Sequence, residues 1–594
     1  MHKMLVLDCE TYSNYFLVSF MDITTEKVRS FEMYEGHPFD ARSVFKILSQ
    51  FTTISFNGNC YDLPILTAAI QGYTNTGLKA LSDAIIISKR PIWSIMRDAE
   101  LVIPSTWNHI DVIEVAPGIS GLKTYGGRMH TKTIRDLPYD PDLNIGGNER
   151  KVLRDYCVND LKLTAELYNV LKKQIDLRVE MSKQYGMDLR SKSDAQIAET
   201  VIKSELTKIT GKEYKPPKLP DNYGFYYQDP KILSFESDNL KDVFSKILKE
   251  RFVLGDNGSV IIPNWLKTDR VIVADKEYQM GIGGLHSCEK RQYIKVKKGW
   301  VLEDRDASSY YPNIILQQQL APESLGVPFL KVYESIVNRR LKAKKEGDKL
   351  TSDVLKITIN GSFGKLGSKY SSLYAPDLLI QTTVTGQLAL LMLIERLTLI
   401  GAEVMSANTD GVVLHYPEKL TGEVEDVCFN WMLDTSYELE STPYTCVANR
   451  DVNNYMAVTT DGQIKGKGIF TKPGLAKNPD FTIISMAVAK QIAEGIDYKK
   501  TIRECDDVRY FITVRRVTGG AIWRGEYLGG VVRFYISNKV PQDESIHYKK
   551  NNNRIPKSAS AKSLMVLPDA LPKDIDYRYY EVEAEKLLIE VGYL

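Results

Sequence analysis

The hydrophobic pattern near the N-terminus predicts buried strands that end in acidic residues. Residues 4–10 (MLVLDCE) form a continuous apolar run of strand length. The two-residue period of a strand places Asp8 and Glu10 on the same face. Residues 54–66 (ISFNGNCYDLPIL) predict a second apolar strand, followed by a turn and then Asp62. The pattern therefore predicts that the carboxylates of Asp8, Glu10 and Asp62 lie close to strand ends.

A long amphipathic helix is predicted over residues 149–174 (ERKVLRDYCVNDLKLTAELYNVLKKQ). One stripe at helical spacing contains Val152, Tyr156, Asp160, Leu163 and Leu167. A carboxylate on an otherwise apolar face is costly unless a cation or a hydrogen-bonding partner meets it. Asp160 is therefore a candidate ligand.

Two further strands carry aspartates in the second half of the chain. Residues 301–316 (VLEDRDASSYYPNIIL) predict a strand with Asp306 at its end, then a turn and a helix start. Residues 402–416 (AEVMSANTDGVVLHY) alternate apolar residues around Asp410-Gly411, a strong hairpin signal. Aspartate is also an ordinary turn residue, so this pattern alone leaves a structural role for Asp410 open.

A helical hairpin is predicted between these strands, with arms at 329–346 and 353–367. The second arm places Lys356, Asn360 and Phe363 on one face. The first arm is basic and contains Arg339, Arg340, Lys342, Lys344 and Lys345. A single basic stripe is most often a solvated face. Two antiparallel stripes, one interleaved with glycines and an aromatic residue, suit a triphosphate and a flat base pair better.

The remaining pattern predicts a mixed connecting region and a C-terminal lobe. The predicted features are a helix at 191–209, strands near 257–262 and 271–274, a glycine-rich loop at 281–287 (GIGGLHS), a β-hairpin at 453–470, a helix at 480–496, strands near 508–516 and 529–536, and a final amphipathic helix after Tyr579-Tyr580.

Composition narrows the class of protein. A chain of 594 residues is too long for one core and predicts roughly three to five lobes. With a net charge of +2, nucleic-acid binding would need local basic patches. Seven cysteines without a CxxC pair argue against a disulfide framework or a zinc ribbon, and seven scattered histidines argue against a histidine metal site. Finding no apolar run of about 18 residues and no signal peptide, we expect a soluble cytoplasmic protein without a membrane partner.

The acidic residues of the first lobe form a constellation suited to metal-dependent hydrolysis. Its members are Asp8, Glu10, Asp62, Asp160 and Tyr156. Two divalent ions about 3.5–4 Å apart need such a set of oxygens to hold an attacking water and a leaving oxygen in line. Tyr156 is placed one helical turn before Asp160 and could orient the water.

With these residues the chain resembles the DEDD 3′–5′ exonucleases, in the subtype that has a tyrosine four residues before the last aspartate. The matching segments are DCE at 8–10, NGNCYD at 57–62 and YCVND at 156–160. The resemblance implies that Thr11, Asn57 and Tyr61 contact a single-stranded 3′ end. Leu122, Lys123 and Lys132 are further candidates for that contact.

The second half resembles a family-B DNA polymerase of the compact kind found in bacteriophages. DASSYYP at 306–312 resembles the family's DxxSLYP, KITINGSFG at 356–364 resembles KxxxNSxYG, and NTDG at 408–411 resembles DTDS. The departures are Gly361 for serine, Phe363 for tyrosine, Asn408 for the first aspartate, and Gly281 for the tyrosine of the family's YxGG loop. Asn408 leaves Asp306 and Asp410 as the expected metal pair.

The resemblance implies a role for each matching residue. Asp306 and Asp410 bind two Mg²⁺ ions, which Mn²⁺ could replace, and Asp8, Glu10, Asp62 and Asp160 bind two more. Lys356, Arg340 and Lys344 bind the incoming dNTP, Asn360 and Phe363 shape the nascent base pair, and Tyr311 stacks under the sugar. Gly283 and Gly284 steady the template through their backbone. Tyr455 holds the primer strand, where Lys465 and Lys467 replace the charge of a missing lysine.

The implied fold combines α/β and α+β domains. We expect an RNase H-like exonuclease domain and a right-hand polymerase domain. The expected boundaries are an exonuclease domain at 1–190, a connecting region with the template-contacting loop at 191–295, a palm at 296–328 and 366–475, a fingers hairpin at 329–365, and a thumb at 476–594.

The expected function is template-directed DNA synthesis with 3′–5′ proofreading during phage genome replication, in the host bacterial cytoplasm. The alternative is a 3′–5′ exonuclease or single-strand-binding replication factor whose polymerase half is degenerate; Asn408, Gly281 and Asn453 favour it, whereas Asp306, Lys356 and Asp410 oppose it. Only 50 positions separate Asp306 from Lys356 and 54 separate Lys356 from Asp410. These short intervals favour a nucleic-acid primer over a protein primer.

We expect a monomer that binds primer–template DNA, with a clamp, a primase or a helicase as candidate partners.

Overall fold

The computed structural model describes residues 3–220 and 222–594. They divide into two compact units. The first unit holds the residues up to Ser193 together with Pro473–Ile483 and Ile502–Tyr580, and the second holds Asp194–Lys472, Ile484–Thr501 and Glu581–Leu594. The region predicted as one C-terminal lobe is therefore shared between the two units.

The helices and strands follow one another in three stretches of chain. Up to Ser193 they are β1 (Met4–Tyr12), β2 (Tyr15–Asp22), β3 (Val28–Met33), α1 (Ala41–Gln50), β4 (Thr52–Ser55), α2 (Asp62–Ile70), α3 (Asn75–Ile87), α4 (Ile92–Asp98), β5 (Asn108–Asp111), α5 (Leu122–Met129), α6 (Gly147–Val170) and α7 (Lys172–Tyr185). From Asp194 to Lys472 they are α8 (Asp194–Thr210), β6 (Gly224–Tyr226), α9 (Asp238–Lys249), β7 (Arg251–Leu254), β8 (Val260–Ile261), α10 (Asn264–Thr268), β9 (Val271–Val273), β10 (Lys276–Gln279), β11 (His286–Ser287), β12 (Gln292–Lys295), β13 (Trp300–Ala307), α11 (Tyr310–Gln317), α12 (Val327–Lys345), α13 (Lys349–Lys365), α14 (Pro376–Leu399), β14 (Glu403–Asn408), β15 (Gly411–Pro417), α15 (Thr421–Thr435), β16 (Leu439–Asp451), β17 (Asn454–Thr459) and β18 (Ile464–Lys467). The remainder contains α16 (Ile483–Glu494), α17 (Tyr498–Arg503), β19 (Thr513–Trp523), β20 (Glu526–Ile536), β21 (His547–Tyr548), β22 (Ala561–Ser563) and α18 (Tyr577–Glu590).

The first unit is built on a five-stranded sheet with the order β3-β2-β1-β4-β5. β1, β2 and β3 form an antiparallel meander, and β4 and β5 run parallel to β1. Alternate residues of β1 face two cores. Leu5, Leu7 and Cys9 pack with the helices α1–α3. Val6 packs with α6, so Asp8 and Glu10, which share the face of Val6, are turned toward α6.

A second sheet of the first unit, with the order β21-β19-β20-β22, comes from the C-terminal region. Arg533 on β20 is fully buried, and its guanidinium donates to the carbonyls of Thr131 at 2.8 Å and Leu564 at 2.7 Å. Thr133 also forms a backbone bridge with Val566. These contacts join the C-terminal sheet to the segment that follows α5.

The second unit centres on a ten-stranded sheet with the order β18-β17-β16-β13-β15-β14-β11-β10-β9, in which β12 also pairs with β16. β13 lies in the middle and pairs antiparallel with both β15 and β16. Its residues alternate between two faces. Glu303 and Arg305 are buried as an ion pair on one face, while Leu302 packs on the other face, which is also that of Asp304 and Asp306.

The longest apolar helix of the second unit, α14, differs from expectation. By length and composition Pro376–Leu399 could cross a membrane, so the expectation of no such stretch is wrong. Threonines and glutamines interrupt its apolar residues, so the sequence contains no unbroken apolar stretch of this length. Inside the unit, 83% of its most apolar window is buried, which is typical of a core helix.

The predicted helix over 149–174 ends earlier, at Val170 in α6. Val152 does not belong to its buried stripe, because 42% of Val152 is exposed, whereas Tyr156 and Asp160 are buried. Tyr579 and Tyr580 lie inside the final helix α18 and do not precede it.

Candidate active sites

Three carboxylates of the first unit meet between β1 and α6. One oxygen each from Asp8, Glu10 and Asp160 lies within 4.8 Å of the others. Asp8 and Glu10 come from one face of β1, and Asp160 comes from the middle of α6, which packs on that face. We call Asp8, Glu10, Asp62 and Asp160 the first acidic cluster.

Asp62 borders the same site from α2. Its Oδ1 accepts a hydrogen bond from the Cys9 backbone N–H at 3.0 Å, which ties the start of α2 to β1. Asp62 and Asp8 line one pocket of about 430 Å³, together with Asn57 and Tyr61. The structure thus brings all four predicted carboxylates into one neighbourhood.

Burial raises the pKa of every carboxyl group in the first acidic cluster. For Asp8 and Glu10 the pKa rises well above the usual range, because burial is reinforced by the neighbouring carboxylates. Burial raises the pKa of Asp62 to about 7. The Oδ2 atom of Asp8 is also buried without a hydrogen-bond donor among the described residues. Oxygen ligands that need positive charge fit a hard divalent cation such as Mg²⁺ or Mn²⁺.

Lys123 already places one positive charge in this site. It forms an ion pair with Asp160, and its Nζ lies 4.4 Å from the centroid of the Tyr156 ring. Asp160 follows Tyr156 by one helical turn, and burial, together with the charge of Asp160, raises the pKa of Tyr156. Lys132, the other predicted lysine, pairs with Asp569 at 2.5 Å and does not line the pocket.

The loop before α2 is held by a carboxylate that the sequence analysis did not single out. Asp111, at the end of β5, accepts hydrogen bonds from the backbone N–H groups of Asn57 at 2.8 Å and Asn59 at 3.0 Å. Asn57 adopts a left-handed conformation with φ 67°, which asparagine tolerates better than most residues. Asp111 thereby positions the side chains of Asn57 and Tyr61. The aspartate at the end of the short strand β5 was the signal that could have found it.

The pocket of the first unit also receives residues from loops and from the C-terminal sheet. Ile119 lines it and is fully exposed, and Arg516 of β19 lines it as an exposed cation. No carboxylate of the described chain forms an ion pair with Arg516. Thr11 is buried, and its Oγ1 lacks a hydrogen-bond partner among the described residues.

Asp306 and Asp410 come together in the second unit. Residue 306 on β13 stands opposite Gly411 on β15, and the Ala307 N–H donates to the Asp410 carbonyl at 2.7 Å. A Cβ atom on Gly411 would lie 2.8 Å from Asp306 Oδ1 and 3.0 Å from the Arg305 carbonyl oxygen, so a side chain there would displace the Asp306 carboxylate. Both carboxylates line a pocket of about 290 Å³. Burial, and next the charge of Asp410, raise the pKa of Asp306 to about 7.

The glycine-rich loop between β10 and β11 packs against the hairpin turn that carries Asp410. Thr409 donates its N–H to the Leu285 carbonyl at 2.8 Å. Gly284 has φ +145°, and a Cβ there would lie 2.9 Å from Thr409 Cα. The carbonyl of Gly283 accepts a hydrogen bond from Tyr311 at 2.8 Å. Both predicted glycines therefore contact parts of the site through their backbone.

The helical hairpin α12–α13 contributes aromatic and basic groups. Phe363 stacks on Tyr311 with ring centroids 4.6 Å apart. Arg340 donates to Ser309 Oγ at 3.1 Å, and Lys344 lies 3.7 Å from Glu440. Lys356 and Asn360 are exposed on α13, on the helix that bears Phe363.

Close helix packing explains one of the two glycines of α13, Gly361, but not the other, Gly364. A Cβ on Gly361 would lie 2.6 Å from the Asp194 carbonyl and 2.8 Å from Ala198, so this glycine allows α13 to pack closely on α8. Nothing lies within 4 Å of the corresponding position at Gly364, and the structure gives no reason for that glycine.

The strands beside the pocket supply the remaining predicted residues. Tyr455 and Lys467 are register partners on β17 and β18, and both line the pocket. Lys465 does not line it; its Nζ lies 5.5 Å from the centroid of the Tyr444 ring. Asp304, Tyr444 and Asn449 line the pocket too and were not singled out by the sequence analysis.

Comparison with known proteins gives weak similarity to DNA polymerases. No family model matches the chain. Over 251 residues, the chain is 26% identical to DNA polymerase 1 of Saccharolobus solfataricus; the matched region is 40% of this chain and 27% of that protein. The structure of the family B DNA polymerase from the hyperthermophilic archaeon Pyrobaculum calidifontis matches with a TM-score of 0.42 and 14% identity, over 100% of this chain and 78% of the other. The chain thus spans about a quarter of the length of the curated relative, and its sequence similarity is to a DNA polymerase.

Proposed function

We propose that this chain is a family-B DNA-dependent DNA polymerase with a 3′–5′ exonuclease that proofreads, in phage genome replication. The observation that supports this most is the setting of Asp306 and Asp410. They border one pocket, and the aromatic pair Tyr311–Phe363 and the basic face of α12 are attached to the same short segment, residues 306–312. Paired acids, cations and flat rings at one place suit a nucleoside triphosphate opposite a template base.

Asp306 and Asp410 would hold the two Mg²⁺ ions of the synthetic site. When bound, these ions would activate the primer 3′-hydroxyl and neutralise charge on the phosphates. Arg340 binds the triphosphate through its guanidinium, which can donate two parallel hydrogen bonds to a phosphate. Lys344 and Lys356 bind it as single positive charges.

The other residues of this site position the nucleotide, the primer strand and the template. Tyr311 and Phe363 form a stacked platform beside the sugar and the nascent pair, where Asn360 completes the surface. Tyr455 and Lys467 hold the primer strand near the acidic pair. Gly283 and Gly284 let the loop backbone approach the template. The protein contributes orientation and charge, which is where phosphoryl transfer gains most of its rate.

In the first unit, the first acidic cluster would hold the ions of the exonuclease. Tyr156 orients the attacking water from its position beside Asp160. Asn57, Tyr61 and Thr11 contact the last nucleotides of a single strand, and the Asp111-braced loop fixes where they stand.

The domain assignment is part of this proposal. Residues 1–190 form the exonuclease, 191–295 the connection, 296–328 with 366–475 the palm, 329–365 the fingers and 476–594 the thumb. The protein acts as a monomer in the cytoplasm of a bacterial host, on a nucleic-acid primer.

One observation favours the alternative of a nuclease with a degenerate polymerase half. Asn408 replaces an expected carboxylate, and its side chain is engaged by the protein itself, donating to the Val452 carbonyl at 3.0 Å. Primer extension on a DNA template with Mg²⁺ and dNTPs separates the two functions. We expect extension that stops when EDTA removes the metal. Degradation of single strands without any extension would establish the alternative.

A further inference from the structure

The hairpin between β14 and β15 brings only one carboxylate to the synthetic site. Asn408 stands where the polymerase motif DTDS has its first aspartate. Both polar atoms of its side-chain amide form hydrogen bonds within the protein. Nδ2 donates to the Val452 carbonyl at 3.0 Å, and Oδ1 accepts from the Thr409 hydroxyl at 3.2 Å. Asn408 therefore offers little to a cation.

Asp304 brings another carboxylate into the same pocket. It precedes Asp306 by two residues on β13, so both side chains stand on one face of the strand. Asp304, Asp306 and Asp410 all line the pocket of about 290 Å³. Alternate residues of a strand are about 6.6 Å apart. That spacing lets two carboxylates flank a pair of ions separated by about 3.5–4 Å.

The Asp304 carboxylate is oriented but not neutralised. The Tyr444 hydroxyl donates to Oδ2 at 2.9 Å. Within residues 3–220 and 222–594, no lysine or arginine forms an ion pair with Asp304 and no donor reaches its Oδ1. Glu303, its neighbour on the opposite face, is by contrast paired with Arg305 at 2.8 Å. One face of β13 thus pairs its carboxylate with a cation, whereas on the other face the charge of Lys465 acts on Asp304 and Asp306 without a described ion pair to either.

A second, independent feature of the pocket also calls for a cation. Asn449 of β16 lines it, is 1% exposed, and has no hydrogen-bond donor at its Oδ1 among the described residues. Its Nδ2 is directed to Glu289 Oε1 at 3.4 Å, which leaves the carbonyl oxygen on the other side of the amide. A buried amide oxygen without a donor is unfavourable unless a ligand meets it.

We propose that Asp304 is a third carboxylate ligand for the divalent cations of the synthetic site, supplying negative charge that Asn408 lacks, with Asn449 Oδ1 as a neutral oxygen ligand. The inference rests on the proposed polymerase function. Carboxylate and amide oxygens without nitrogen or sulfur ligands favour Mg²⁺ or Mn²⁺. Asp304 does not transfer a proton; it supplies charge and orientation to the cations.

The test measures metal binding directly, in the full-length chain. Asp8→Ala with Asp160→Ala removes ligands of the first unit, and Mn²⁺ binding by electron paramagnetic resonance then reports on the second unit. In this background we compare Asp304→Asn, which keeps an acceptor for Tyr444, with Asp410→Asn as the positive control. Asp461→Asn at the β17–β18 turn makes the same charge change outside the pocket, and Tyr444→Phe removes only the hydrogen bond. Thermal unfolding of each variant verifies that it folds.

We expect Asp304→Asn and Asp410→Asn each to raise the dissociation constant for Mn²⁺ at least about ten-fold. Tyr444→Phe, which loses only the hydrogen bond that orients Asp304, should raise it less than Asp304→Asn does, and Asp461→Asn should stay within about two-fold. We expect the Mg²⁺ concentration for half-maximal primer extension, measured with an intact first unit, to rise in Asp304→Asn and to stay near the wild-type value in Asp461→Asn. Unchanged Mn²⁺ binding in Asp304→Asn, with loss in Asp410→Asn, would overturn the inference and leave the proposed function standing. Unchanged binding in both variants would overturn the synthetic metal site itself.

Discussion

His109 is a buried histidine that must stay neutral to hold two strands together. On β5, its Nδ1 and Nε2 are hydrogen-bonded to Thr53 at 2.8 Å and Ser55 at 2.9 Å on β4. Burial, and next the charge of Arg190, lower its pKa to about 3. In the unfolded chain the pKa of histidine is about 6.5. Below that pH the unfolded chain therefore binds a proton that the folded chain does not.

The sign of this linkage predicts acid sensitivity. Between pH 6.5 and 5.0, His109 should remove about 2 kcal/mol from the free energy of unfolding of the first unit. We expect urea unfolding of His109→Gln to lose correspondingly less stability over this range. His37→Gln, at an exposed histidine, is the control and should keep the wild-type slope. Equal slopes for wild type and His109→Gln would contradict the prediction.

Arg516 is an exposed cation at the pocket of the first acidic cluster. If a single strand enters there, a charge-assisted bond to phosphate is worth enough to change affinity about ten-fold. We expect Arg516→Ala to raise KM for degradation of single-stranded DNA about ten-fold with kcat little changed, and to lower the salt dependence by nearly one charge. Arg42→Ala, at an exposed arginine of α1, makes the same charge change away from the pocket. A loss of kcat alone, or equal effects of both variants, would refute a phosphate contact.

At the scale of elements, the hairpin β14–β15 depends on the loop that packs against its turn. Gly284 cannot accept a side chain because of its φ of +145° and its approach to Thr409, whereas Gly283 has nothing within 4 Å of a Cβ. We expect Gly284→Ala to lower the free energy of unfolding of the second unit by about 1–3 kcal/mol and to reduce primer extension. Gly281→Ala, in the same loop and also with nothing within 4 Å of a Cβ, is the matched control, and thermal unfolding with extension assays compares the two variants. Similar effects of both substitutions would show that close packing at Gly284 does not position Asp410.

The sequence predicted individual strands, helices and turns better than it predicted how they pack together. The acidic strands β1 and β13, the Asp410-Gly411 hairpin and the paired helices α12 and α13 could be predicted because strand alternation, turn chemistry and helical spacing are local properties. Asp111 and Arg516 could not, since their importance depends on pairing between β4 and β5 and on a sheet that comes from the C-terminal region. Asp304 was overlooked because a carboxylate two residues before a predicted ligand reads as an ordinary polar position. The alternation rule that paired Asp8 with Glu10 applies to it equally.

For the whole molecule, the central claim is that two acidic sites on separate units perform separate reactions. Asp62 belongs to the first unit, and Asp410 belongs to the second. The two carboxyl groups share no hydrogen-bond partner among the described residues. Each can therefore be removed without touching the other's neighbours.

The most direct measurement compares both activities of the same purified variants, Asp410→Ala and Asp62→Ala, with wild type on one labelled primer–template and Mg²⁺. Extension with dNTPs and shortening without them are followed in parallel. We expect Asp410→Ala to abolish extension and keep shortening, and Asp62→Ala to abolish shortening and keep extension. Loss of both activities in either folded variant, or loss of neither, would contradict the account.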